Sequence, residues 1–198
     1  METHLRTLRR AELPQAAGVA ARALADNPIN VAVYGPDHDR RVRRNEAAFR
    51  AFLPTLACPL LGAYQGQTLV GVVGVAPPGT CQRPLMQYLP LAASLALQGP
   101  GSLAKLSQVF TEWSRHDPAV RHWHLDPVAV EPTWQGRGIG RRMMSRFCAW
   151  MDSVQDMAYL ETDKPENVAF YERLGFITTG QVTVLDTATW LMARTPRP

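Results

Sequence analysis

The chain has 198 residues, 46% of them hydrophobic and 19% charged, and a formal net charge of +4. That length suits one domain with a sizeable core, and the composition excludes a disordered or collagen-like chain. The arginines are scattered and no basic run interleaves with stacking aromatics, so a polyphosphate ligand explains the basic excess better than nucleic acid does.

Residues 4–8 alternate weakly and predict a first strand. Residues 12–25 place Leu13, Ala17, Ala20, Ala21 and Leu24 on one helical face, and Asp26-Asn27-Pro28 is expected to stop that helix. A second helical pattern spans 39–56, with Val42, Phe49, Phe52, Leu53 and Leu56 as its apolar stripe and a solvated arginine-rich face. Two β-rich runs, 60–64 and 68–76, flank Gln65-Gly66-Gln67 and predict a hairpin. Helices are expected over 85–97 and 102–116, separated by Gly99-Pro100-Gly101. In the second of them Leu103, Leu106, Phe110 and Trp113 recur at helical spacing. Strand 121–130, helix 139–151, strand 158–162, helix 165–174 and strands 177–185 and 189–193 complete the order.

This is an α/β (α+β) layout, antiparallel in its first half and with a parallel crossover in its second. It is read as a single domain over 1–198 with a helical insertion over 77–120. Cys58, Cys81 and Cys148 are odd in number and lack metal-ligand spacing. They predict reduced thiols, a cytoplasmic setting and no metal. The N-terminal residues lack the apolar segment of a secretion signal, and the apolar stretch 85–97 is too short to span a bilayer.

The most informative segment is Val128-Ala-Val-Glu-Pro-Thr-Trp-Gln135-Gly-Arg-Gly-Ile-Gly-Arg141. Gly136, Gly138 and Gly140 leave backbone N–H groups uncovered where a helix begins, and the helix dipole adds about half a positive charge there. The pattern reads as a pyrophosphate cradle. Its late position disfavours a dinucleotide fold, and the missing Gly-Lys-Ser/Thr ending disfavours a Walker-type loop.

A second block follows, Tyr159-Leu-Glu161-Thr-Asp163 and then Asn167-Val-Ala-Phe170-Tyr171-Glu-Arg-Leu-Gly175-Phe176. Together the two blocks resemble the GNAT superfamily of acyl-CoA-dependent N-acyltransferases. Its Gln/Arg-x-x-Gly-x-Gly/Ala motif is matched by Gln135, Gly138 and Gly140. Its Asn-x-x-x-Tyr-x-x-x-Gly-Phe block is matched by Asn167, Tyr171, Gly175 and Phe176.

The resemblance implies a mixed sheet of about seven strands, with the helical insertion between the third and fourth. It also implies acetyl-CoA as donor. The backbone of Val128, Ala129 and Val130 would pair with the pantetheine arm. The N–H groups of Gly136, Arg137, Gly138, Ile139, Gly140 and Arg141 would hold the pyrophosphate. Asn167 and Phe170 would flank the cofactor, and the strands carrying Val130 and Leu160 would splay around the thioester.

Tyr171 matches the family's general acid, a phenol able to protonate the departing thiolate. The packing alternative is a ring that merely sits on the short helix. An ammonium acceptor must first lose a proton, and the candidate base is His124, with Asp126 and Glu161 as competitors. His124 and Asp126 share a strand face by period-two alternation, and an imidazole suits the task near neutral pH. Glu131 reads as a turn residue flanking Pro132.

The insertion is either a roof over the acceptor side or a packing or dimer surface, and Met86, Tyr88, Phe110 and Trp113 read as core before substrate wall. The leading expectation is acetyl transfer to a primary amine of a small molecule, with a possible homodimer and neither nucleic acid nor membrane as partner. A protein N-acetyltransferase and a non-catalytic acyl-CoA-binding module are the alternatives.

Overall fold

The computed structural model describes residues 3–80 and 89–197. Seven strands form one mixed sheet in the order β1-β2-β3-β4-β5-β7-β6. They are β1 (Thr3–Thr7), β2 (Leu61–Gln65), β3 (Thr68–Ala76), β4 (His122–Val130), β5 (Met157–Thr162), β6 (Ile177–Val184) and β7 (Thr187–Arg194). All neighbouring pairs are antiparallel except β4 and β5. That parallel pair is joined by a crossover through α6 (Ile139–Val154), as a parallel connection requires.

One face of the sheet is covered by α6. Its buried Ile139, Met143, Met144, Phe147, Cys148 and Met151 fall on one stripe and pack against Val70, Val73, Leu125 and Leu160. The other face is covered by α1 (Leu13–Leu24) and α3 (His38–Phe52). There Ala16, Ala17 and Ala20 let the helix lie close to Leu69, Val72 and Ala129. The expected stop at Asp26-Asn27-Pro28 is a turn and not a loop. Pro28 opens a further helix, α2 (Pro28–Tyr34), because its fixed φ suits the first helical position.

Helix α3 ends at Phe52 and tightens into a 3-10 turn over Leu53–Thr55, short of the expected limit at residue 56. Its arginine face is not uniformly solvated. Arg41 is buried, donating from Nε to the Ala25 carbonyl (2.7 Å) and pairing with Asp26. The guanidinium thus takes up a carbonyl left open at the end of α1.

Between β3 and β4 lie α4 (Leu89–Leu97) and α5 (Pro100–Ser114). Residues 85–88 of the first expected helix, with Met86 and Tyr88, lie outside the described residues, as does Cys81. Leu91, Leu95, Leu106 and Val109 are buried against Ile29, Val33 and Tyr34 of α2 and Val184 of β6. The insertion is therefore packed onto the body of the fold. Helix α7 (Pro165–Glu172) connects β5 to β6. Among the described residues no helix is long and apolar enough to cross a membrane.

The C-terminal end of α6 is tied to β7 by a two-pronged ion pair, Arg194 to Asp152, with both N–O distances 2.7 Å. Arg194 is buried, and its guanidinium holds the Asp152 carboxyl down at about 2 from an ordinary 3.8. A carboxyl depressed in the folded state stabilises above its unfolded pKa and loses that contribution as pH falls through the folded value. The loss therefore runs from about pH 4 to pH 2. Asp152→Asn should lower stability by about 2 kcal/mol at pH 7, since it leaves a buried guanidinium without its charge partner. Urea melts of both proteins at pH 7 and pH 3 check this, and the gap between them should narrow at the lower pH.

Candidate active site

Strand β4 runs beside β5 only from His122 to His124, opposite Met157 to Tyr159. On its other edge β4 stays paired with β3 as far as Val130. The two parallel strands therefore part beyond His124, leaving the β5-facing backbone edge of Val128–Val130 without a strand partner.

The β3–β4 ladder also shifts register, pairing Val73 with Val128 and Val75 with Leu125. The bulge is admitted by Gly74, where a Cβ would lie 2.5 Å from the Asp126 carbonyl oxygen. It changes the phase of the alternation, so that Leu125, Val128 and Val130 all pack toward the α6 core. Simple period-two counting therefore fails across Asp126-Pro127.

Two cavities open on this gap. The first is a groove of about 920 Å³ lined by Val128, Ala129, Val130, Gln135, Gly136, Gly138, Ile139, Gly140, Asn167 and Phe170. Arg141, Lys164 and Arg173 also line it and give it a basic rim. Gly138 caps α6 in the left-handed region (φ 76°), and Gly136 is left-handed too (φ 74°). Left-handed residues in such a turn let neighbouring N–H groups converge on one anion, and a side chain at either position would be strained.

Gln135 donates from Nε2 to the Val130 carbonyl (2.9 Å), holding the turn against the strand end. Arg137 does not line the groove. Its guanidinium lies over the Trp134 ring, 4.6 Å from the centroid. Glu131 accepts from Arg22 (2.8 Å), so the turn residue also links α1 to the loop before the cradle.

The second cavity, of about 160 Å³, lies on the α1 and α3 side under the insertion. Asp126, Glu161 and Asp163 line it together with Phe49, Phe52, Leu106 and Phe110. Phe110 and Trp113, expected in the core, are walls of this cavity as well as members of the α5 packing cluster. The two cavities share Leu24, Asn27, Val128, Asn167 and Tyr171.

Tyr171 stands at that junction. It is buried, its ring edge-on to Phe170 (5.1 Å) and to Phe176 (5.6 Å). Burial, aided by the charge of Asp126, pushes its phenol well above the usual tyrosine range, so it stays protonated at neutral pH. Asn167 donates to the Thr162 hydroxyl (3.2 Å), fixing the start of α7 to the end of β5.

The three candidate bases have different surroundings. The side chain of Glu161 is buried, and its Oε2 lies 2.7 Å from His124 Nε2. Its Oε1 is buried without a hydrogen-bond partner. His124 packs edge-on against Tyr159 (5.2 Å), with Nδ1 3.3 Å from Asp117 Oδ1. The imidazole is thus held between two carboxylates, with Glu161 on the cavity side. Asp126 lines the cavity beside Tyr171, while His124 does not reach the wall.

Asp163 has both oxygens occupied, accepting from Asn27 Nδ2 (2.9 Å) and from the Ile29 N–H (2.8 Å). Burial raises its pKa. It fixes the first turn of α2 to the end of β5 and so closes the cavity floor. Ligand atoms of Asp117, His122 and His124 lie within 4.8 Å of one another, a spacing one divalent cation could bridge. His122 Nδ1 donates to the Val120 carbonyl (2.8 Å).

The profile of the acetyltransferase (GNAT) family matches residues 28–176. The chain belongs to the GNAT acetyltransferase family.

Among solved structures, an acetyltransferase of Corynebacterium glutamicum, described as histone acetyltransferase HPA2 and related, superposes with a TM-score of 0.73 at 20% identity. The match covers 100% of this chain and 98% of that one. An apo-form variant of agmatine N-acetyltransferase superposes at 0.63 with 14% identity, over 98% and 100% of the two chains. A Brucella melitensis GNAT acetyltransferase, solved in complex with acetyl-CoA, superposes at 0.56 with 15% identity, over 100% and 90%. The seven-stranded mixed sheet with its flanking helices is the GNAT fold.

Within this GNAT site the motif residues Gln135, Gly138, Gly140, Asn167 and Tyr171 all line the groove. Sequence reasoning missed Lys164, Arg173 and Trp134 on the groove side and Asn27, Asn45 and Tyr34 on the cavity side. Arg173 lies within the second motif block and Lys164 between its two parts, and both were open to a search for basic residues. Asn27, Asn45 and Tyr34 come from helices remote in sequence and carry no local signal.

Proposed function

We propose that this GNAT protein transfers the acetyl group of acetyl-CoA to a primary amine of a small molecule, by direct attack of the amine on the thioester. The observation that carries the reading is the wall shared by the two cavities. It places a buried phenol, Tyr171, between a groove suited to the donor and a carboxylate-lined cavity suited to a cation.

The donor supplies an acyl group activated as a thioester. The N–H groups of the turn from Gly136 to Arg141, at the positive end of α6, hold its pyrophosphate with Arg141, Lys164 and Arg173. The free edge of Val128–Val130 pairs with the pantetheine arm as an added strand would. A backbone N–H near Val130 polarises the acyl carbonyl.

Glu161 Oε1 accepts a hydrogen bond from the acceptor ammonium and takes its proton, while His124 keeps the carboxylate oriented through Oε2. Tyr171 holds a proton on its phenol oxygen for the leaving sulfur. The roof of α4 and α5 encloses the acceptor end with Leu91, Leu106, Val109 and Phe110, which favours a small molecule over a peptide.

An amine-library screen with acetyl-CoA, reading free thiol, tests the reading. Turnover on small amines is the expected result. Acetyl-CoA binding with no turnover on any amine or peptide marks an acyl-CoA-binding module, and turnover on peptides alone marks a protein acetyltransferase.

Gly138→Ala should weaken coenzyme A about tenfold in calorimetry. A left-handed alanine costs about 1–2 kcal/mol, and the turn relaxes by swinging its N–H groups away. An unchanged Kd would remove this turn from the phosphate site.

A further inference from the structure

Two residues that line the acceptor cavity carry buried N–H donors that nothing among the described residues satisfies. Asn45 of α3 is 3% exposed, and its Nδ2 has no hydrogen-bond partner among the described residues. Trp113 of α5 lines the same cavity, and its Nε1 is likewise buried and unpartnered. A buried donor left unpaired is costly, and native proteins rarely tolerate two in one pocket without a ligand that accepts from them.

Both donors belong to helices, Asn45 to α3 and Trp113 to α5 of the roof, whereas the carboxylates of Asp126 and Glu161 belong to the sheet below. The cavity is therefore polar at two ends, acidic toward the sheet and donating toward the helices. Phe49, Phe52, Leu106 and Phe110, on the same two helices as Asn45 and Trp113, give the cavity its apolar surface.

We propose that the acceptor is a primary amine on an apolar, ring-sized body whose far end carries a neutral hydrogen-bond acceptor, a carbonyl or ether oxygen, bound by Asn45 and Trp113. The inference rests on the acetyl-transfer reading for the direction in which the amine points. The acidic end takes the ammonium.

The far end is neutral because no Lys or Arg lines the cavity among the described residues, which leaves a carboxylate without a counter-charge. A second ammonium is disfavoured too, since the unpaired N–H groups of Asn45 and Trp113 would face it donor to donor. The enclosed volume of about 160 Å³ resembles apolar cavities that hold one benzene-sized group.

Four amines test this against the full chain: 4-methoxyphenethylamine, its near-isostere 4-ethylphenethylamine, 1,7-diaminoheptane and phenylalanine. Binding is read by calorimetry on protein saturated with coenzyme A, and turnover separately by thiol release with acetyl-CoA. The methoxy compound should bind about tenfold tighter than its ethyl isostere, and the diamine and the amino acid should bind weaker than both.

Asn45→Leu and Trp113→Phe should each shrink the methoxy-to-ethyl ratio toward one, with ethyl-compound affinity kept. Equal affinity for methoxy and ethyl compounds in the wild type, or preference for the diamine or the amino acid, overturns the proposal. An unaltered ratio in both variants also overturns it. Tight, selective binding of the methoxy compound without turnover leaves this inference standing and sinks the catalytic reading instead.

Discussion

Tyr171→Phe should lower kcat by roughly 10²- to 10³-fold, the usual worth of a positioned general acid, while coenzyme A binds as before. The ring of Tyr171 packs edge-on between Phe170 and Phe176, and a phenylalanine keeps both contacts. Thermal stability should therefore change little. Only the phenolic proton is lost, at the point where the two cavities meet.

Burial holds that proton well above the usual range, so Tyr171 adds no alkaline limb to the wild-type profile below about pH 10. Single-turnover rates alongside calorimetry separate the chemical step from binding. A Phe variant with wild-type kcat would mean that the leaving sulfur takes its proton from solvent.

Replacing Glu161 by glutamine should cost about 10²- to 10⁴-fold in kcat/KM. The substitution keeps the size of the side chain but leaves no anion to hold the ammonium or accept its proton. The partnerless Glu161 Oε1 is the atom at stake. His124 acts through it from behind, so His124→Ala should cost about tenfold and shift the acidic limb of the pH–rate profile.

The order of those two effects is decisive. If His124→Ala is the more damaging and Glu161→Gln retains most activity, the imidazole is the base. An unaltered His124→Ala profile would remove His124 from the reaction. If Glu161→Gln also retains activity, Asp126, near Tyr171 on the same cavity, is the remaining proton acceptor.

Much of this site is written locally in the chain. The glycines of the cradle must follow one another before a helix, because successive N–H groups turn toward one point only when their residues are adjacent. The apolar stripe of α6 and the hairpin of β2 and β3 are equally local, since both follow from backbone periodicity. Helix α2 was not legible, because Asn27-Pro28 serves as a helix stop and a helix start with the same residues. The buried guanidinium of Arg41 was not legible either. Its partners at Ala25 and Asp26 are supplied by a fold that brings α1 and α3 together.

The sequence by itself determined the family, the order of the strands and every helix but α2, because each rests on residues close together in the chain. Tertiary structure decided the carboxylate-lined cavity. The bulge opposite Gly74 reset which residues face which way, and the imidazole of His124 was placed behind Glu161. The cavity itself draws on α2, α3, α5, β4 and β5. Side chains from elements far apart in the chain, α1, α4 and α7 among them, converge only through packing, and no periodicity along a chain encodes which of them will meet.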